Sequence, residues 1–173
     1  MPESKHEAGL SRRSFLSSAL VLTATAVIHP IEAWGLEPKS LSPAATQTLI
    51  QASRDIYPHD RLADRFYAVA VREFDTKAAA DPKLKALLEE GVVKLDAEAR
   101  DAYKVAFAEI GWEEERTAVL KRIESTPFFK TLRSGLVTGL YNQKEIWPFF
   151  GYEGSSADKG GYIDRGFNDL KWL

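Results

Sequence analysis

The sequence predicts an all-α fold, a helical bundle of about five helices with an irregular C-terminal arm rich in glycine and aromatic residues. Three observations predict it. A capping side chain followed directly by proline recurs at Ser42-Pro43, Asp81-Pro82 and Thr126-Pro127, the combination that starts helices because the cap accepts orphan N–H groups and proline has none to lose. Downstream of each start, apolar residues return every three or four positions. No stretch keeps the two-residue alternation of a half-buried strand.

In chain order, the first predicted helix has Ser42 as N-cap, carries Leu49, Ile50 and Ile56 inward, and stops at Tyr57-Pro58. Asp60 is expected to cap the second, whose inner face reads Leu62, Phe66, Val69, Ala70 and Phe74 up to about Lys77. The third starts at Asp81-Pro82 and holds its period through Leu84, Leu88, Val92, Leu95, Ala99, Tyr103, Phe107 and Ile110, with Gly91 a tolerated weak point and Gly111 as the expected C′ residue. The fourth runs from about Glu113 to Glu124, its acidic first turn suited to the positive end of the helix dipole. The fifth follows Thr126-Pro127, with Phe128, Phe129, Leu132, Leu136, Val137 and Leu140 inward, to Tyr141.

From Asn142 the pattern changes. Trp147, Phe149, Phe150, Tyr152, Tyr162, Phe167 and Trp172 are interspersed with Gly151, Gly154, Gly160, Gly161 and Gly166. Glycine at this density breaks helices, and rings at this density demand burial. Such a tail lies on an apolar surface, either its own bundle or another protein. Three regions result: a leader over residues 1–33, a helical domain over 34–141, and an aromatic arm over 142–173.

The leader carries Ser11, Arg12, Arg13, Phe15 and Leu16 ahead of a short, moderately apolar run from Ala19 to Ile28. Paired arginines in that position form the address of the twin-arginine export route, which carries folded proteins to the periplasm. The segment Ile31-Glu32-Ala33 is a poor cleavage site, because isoleucine stands where a small residue is wanted.

The rest of the composition narrows function by exclusion. A net charge of −2 and no basic stripe leave no footprint for nucleic acid. The absence of cysteine removes disulfides, thiolate metal sites and covalently attached haem. Beyond the leader one histidine remains, His59, with no nucleophile elbow, phosphate loop or metal-ligand spacing around it. Tyr57, His59 and Asp60 therefore read either as a tight interhelical turn or as a loop contact for a partner. Trp147, Phe149, Phe150, Tyr152, Gly160, Gly161, Tyr162, Phe167 and Trp172 read either as a self-packed tail or as a partner-binding arm. No catalytic residue and no metal ligand are expected. The rival reading is a self-sufficient periplasmic protein that binds or hydrolyses carbohydrate through His59 and the aromatic tail.

Four stretches together resemble one known family. They are the twin-arginine leader; Asp55-Ile56-Tyr57-Pro58-His59-Asp60 with Leu62-Ala63-Asp64 and Phe66-Tyr67; Thr126-Pro127-Phe128-Phe129 running to Gly139-Leu140-Tyr141; and Phe150-Gly151-Tyr152-Glu153-Gly154 with Gly160-Gly161-Tyr162, Gly166-Phe167 and Trp172. The chain resembles the gluconate 2-dehydrogenase subunit 3 family, small subunits of membrane-associated flavin dehydrogenases acting on sugars and sugar acids. The resemblance implies an accessory, non-catalytic subunit. Its partner would be a large subunit that holds FAD and lacks its own export signal. A cytochrome c subunit with haem c would often complete the complex. This chain would supply the export signal to the twin-arginine machinery and stabilise the large subunit, with no cofactor of its own.

Overall fold

In the computed structural model, which describes residues 37–167, five α-helices and three short 3-10 helices make an all-α fold with no strand among the described residues. The export motif Ser11, Arg12, Arg13, Phe15 and Leu16 lies outside the described residues, as does Trp172. The helices are α1 (Pro43–Ile56), α2 (Asp64–Ala80), α3 (Pro82–Tyr103), α4 (Glu113–Ile123) and α5 (Pro127–Tyr141). The caps read from sequence at all three Ser/Asp/Thr-Pro starts are formed. Ser42 Oγ accepts from Ala45 N, Asp81 from Lys83 N and Leu84 N, and Thr126 Oγ1 from Phe129 N.

Three boundaries differ from the sequence reading. Asp60 does not cap α2; the chain turns through residues 60–63, where Leu62 N donates to His59 O, and Ala63 is the N-cap with no side-chain bond. The first turn of α2 is instead charged by Asp64, paired to Arg54 at 2.6 Å. At its other end α2 runs past Lys77 through Ala78-Ala79-Ala80, the strongest helix formers, and stops where Asp81 begins the next helix. The third difference is larger. Helix α3 ends at Tyr103, not near Ile110, because Lys104 turns left-handed at φ 65°. Asp96 Oδ1 then accepts Phe107 N at 3.0 Å, and a 3-10 turn over Phe107–Glu109 follows. Phe107 and Ile110 keep helical spacing in the sequence yet reach the core by this reversal, both buried.

Helix α2 packs against α1, α3 and α5, while α4 closes the bundle against α1 and α3. The core is one cluster. Leu49, Tyr67, Val71, Leu88, Leu95, Phe107, Leu132, Leu136 and Leu140 are inaccessible to solvent, each such side chain contributing on the order of 1.5–3 kcal/mol relative to exposure. Val69 and Val137, expected inward, are 37% and 49% exposed. Each sits one residue from the true inner stripe, beside Ala70 and Leu136, and one residue is about 100° around a helix.

Two helix pairs approach closely because glycine faces the partner. A Cβ on Gly91 would lie 2.1 Å from the Phe128 ring, and one on Gly135 would lie 2.4 Å from Phe74. Gly91, read from sequence as a weak point in α3, is therefore the seat of the α5 phenylalanine.

Polar groups inside the bundle tie distant segments together. Asp55 on α1 is 1% exposed and takes a bidentate pair from Arg116 on α4, at 2.8 and 3.0 Å. The same guanidinium donates to Ile110 O at 2.8 Å, so one side chain ties α4 to α1 and to the segment that joins α3 to α4. Asp75 on α2 is 2% exposed and accepts the N–H groups of Lys39, Ser40 and Leu41 at 2.8, 2.9 and 2.8 Å. Burial alone would push the Asp75 carboxyl up. The three N–H donors, with Lys39 nearby, outweigh it and hold the group below its ordinary value. Glu89 on α3 takes Ser42 N and Oγ, so the segment entering α1 is moored to both α2 and α3.

Candidate partner-binding site

The arm leaves α5 through a firm foot. Gln143 Nε2 donates to both Phe66 O and Gly139 O at 2.8 Å, bridging α2 and α5. Residues Lys144–Phe150 form a 3-10 helix whose Ile146 is fully buried. Trp147 is half-buried and donates from Nε1 to Tyr141 O at 2.8 Å. Gly151, left-handed at φ 69°, ends this helix and lets Tyr152 N reach Trp147 O. The Tyr152 ring then stands edge-on to Trp147 at 5.0 Å.

The loop between α1 and α2 meets the arm at this foot. His59 Nε2 shares a 2.7 Å hydrogen bond with Tyr141 OH. The His59 ring lies edge-on to Phe150 at 5.0 Å, Phe150 to Tyr141 at 5.8 Å, and Tyr141 to Tyr57 at 5.8 Å. Tyr57 and His59 are thus brought onto the same aromatic cluster as Phe150. Asp60 is exposed beside it and acts on His59 only through its charge. Desolvation lowers the His59 pKa, and Asp60 partly opposes the shift. Burial, with Tyr57 nearby, raises that of Tyr141. Both groups are therefore neutral near pH 7. Tyr67 lies beneath them, its OH donated to Tyr57 O at 2.7 Å and its pKa pushed up to about 12 by burial.

His59 has a phenol as its hydrogen-bond partner, with no nucleophile and no orienting carboxylate bonded to the other ring nitrogen among the described residues. Among the described residues no group of three His, Cys, Asp or Glu side chains is placed to hold a metal ion. What the cluster can do is present apolar surface. Phe149 is 44% exposed, Phe150 47% and Tyr152 51%, and Phe149 also stacks edge-on with Phe66 of α2.

From Glu153 onward, among the described residues, the hydrogen bonds and ion pairs of the arm are made within the arm. Glu153 accepts Lys159 Nζ at 2.8 Å and Arg165 Nη2 at 3.0 Å, and Gly161 N donates to Ser156 O at 2.7 Å. Tyr162 is 61% exposed and Phe167 79%. Gly160 and Gly161 both take φ near 80°, which lets the chain reverse just before Tyr162.

Sequence reasoning missed four residues of this framework. Asp55 was visible only as part of a motif, and Arg116 stood behind an acidic run. Asp75 gave the one available signal, a carboxylate next to Phe74 on a core-facing stripe. Ile146 is a single aliphatic among rings, and it is the one that goes fully inside.

No curated protein and no solved structure matches the chain in a comparison with each. Residues 43–154, from the first turn of α1 to the end of the foot, match the family model described as gluconate 2-dehydrogenase subunit 3, and the chain belongs to that family.

Proposed function

We propose that this chain is the non-catalytic small subunit of a flavin-dependent sugar, sugar-acid or polyol dehydrogenase complex. It travels to the periplasm by the twin-arginine route with the folded large subunit bound, and it stabilises that subunit. The observation that carries the reading is family membership joined to an arm whose rings are held in place yet left uncovered. Rigidly held aromatics are what interface hot spots use, because they bury much area at little conformational cost. On this reading FAD belongs to the large subunit, haem c to a cytochrome subunit where one is present, and no prosthetic group to this chain. Arg12 and Arg13 engage the export machinery, and the mooring of residues 39–42 by Asp75 and Glu89 joins the leader to the body of the bundle. The complex associates with the membrane through its other subunits; among the described residues no helix is long and apolar enough to cross one.

The test is export. Arg12→Lys with Arg13→Lys should strand both this chain and the dehydrogenase activity in the cytoplasm. Dehydrogenase activity that still reaches the periplasm in that strain would sink the co-export reading.

A further inference from the structure

The arm divides into two parts with different roles. Up to Tyr152 its buried and hydrogen-bonded groups face the bundle. From Glu153 to Phe167 it forms a loop held by its own contacts. Glu153 takes both Lys159 and Arg165, the Arg165 guanidinium lies 5.9 Å over the Tyr162 ring, and Gly161 N closes on Ser156 O. A loop this well tied would be expected to fold its large apolar side chains inward. Instead Tyr162, Ile163 and Phe167 are 61%, 83% and 79% exposed.

The exposed area indicates what covers them. Taking roughly 200 Å2 for a large side chain, the uncovered fractions of Tyr162, Ile163 and Phe167 amount to about 450 Å2, and those of Phe149, Phe150 and Tyr152 at the foot to about 280 Å2. The loop alone uncovers as much as the largest patch on a typical monomer, roughly 300–600 Å2, a size that is often functional. Loop and foot together would supply most of the ~800 Å2 that each partner contributes to a standard-sized protein interface. Within residues 153–167 Glu153 pairs with Lys159 and Arg165, and with Asp158 and Asp164 the loop carries a formal charge of only −1. The surface therefore suits an apolar partner face better than a charged one.

We propose that residues 153–167 are a display loop, closed by Glu153, that inserts Tyr162, Ile163 and Phe167 into an apolar depression on the large dehydrogenase subunit. Glu153 is a positioning residue and touches no partner group itself. The inference rests on the small-subunit reading above and adds which segment recognises the partner. The matched family segment ends at Gly154, where this loop begins.

The experiment co-expresses the full chain, tagged, with the large subunit and measures both capture and the melting temperature of the isolated chain. Ile163→Asp with Phe167→Asp should weaken capture by about tenfold or more, as loss of a hot spot does, with melting unchanged. Glu153→Ala should weaken it less, and Glu153→Gln, which keeps a hydrogen-bond acceptor, should recover part of the loss. Capture undiminished by the double aspartate variant would overturn the loop proposal and leave the small-subunit reading intact. A wild-type chain that captures no large subunit would overturn both. A self-associating chain whose dimer dissolves with Ile163→Asp, or tighter capture after removal of residues 168–173, would assign the patch to a second copy or to the chain's own end, and would equally overturn it.

Discussion

Glycine does opposite things in the bundle and in the arm. In the bundle Gly91 and Gly135 sit in regular helix, where a side chain would collide with Phe128 or Phe74. They are there for what they leave out. In the arm Gly151 and Gly160 have nothing near the position of a Cβ and take φ of 69° and 80°. They are there for the backbone they permit. The contrast extends to the rings: Phe128, Phe74 and Phe107 are sealed inside, while Phe149, Phe150 and Tyr162 touch other rings or a guanidinium yet stay largely uncovered, and Phe167 is exposed. One region spends its aromatic surface on folding. The other keeps it available.

The contrast can be broken most strongly at the buried ion pair. Arg116→Met leaves the buried Asp55 carboxylate with the Gln51 amide but no ion-pair partner and should cost about 3–5 kcal/mol in chemical denaturation, while Asp55→Leu with Arg116→Met should recover most of it. A small loss in the single variant would mean that water reaches Asp55. Next comes the foot, which groups with the bundle despite belonging to the arm. Ile146→Ala should cost about 2–5 kcal/mol, whereas Ile163→Ala, in the display loop, should change stability by under ~0.5 kcal/mol. Equal effects would erase the division between foot and loop. The glycines come third. Gly91→Ala should cost about 1–3 kcal/mol through overpacking against Phe128, and Gly160→Ala about 1–2 kcal/mol through its left-handed backbone. Gly160→Asn should cost less than Gly160→Ala, since asparagine tolerates that conformation.

The smallest effect is on pH. His59 has its pKa lowered in the fold, so the unfolded chain binds its proton first as pH falls. Its contribution is complete above about 6.5, the ordinary value, and is lost as pH drops from there through the folded-state pKa. Melting curves at pH 7.5 and 5.5 should therefore lie further apart for the wild type than for His59→Gln. Parallel shifts would show that the Tyr141–His59–Phe150 contact does not resist protonation.

These comparisons also show what the sequence made legible. The three proline-linked caps were readable because a cap is a local bond, made within three residues. The all-α class, the inner stripes of α1 and α4, and that of α5 apart from Val137 followed from periodicity. The end of α3 was not readable, because Ala106, Phe107 and Ile110 continue the helical spacing while the turn depends on Lys104 and on Asp96 reaching Phe107 N. Val69 and Val137 went astray for a related reason: period alone does not fix which of two neighbouring apolar residues sets the stripe. At the candidate site each ingredient was visible singly. Their meeting was not, since His59 and Tyr141 are 82 residues apart. Asp55 and Arg116, 61 residues apart, were hidden in the same way.

The mooring at Asp75 has a consequence for the order of events during synthesis. Leu41 is held by a carboxylate 34 residues further on, and Ser42 by one 47 residues further on. As the chain emerges from the ribosome, the stretch leading into α1 stays loose until α2 and much of α3 have been made. Only then does it tighten against the body, so a fastened entry segment reports that half the domain already exists.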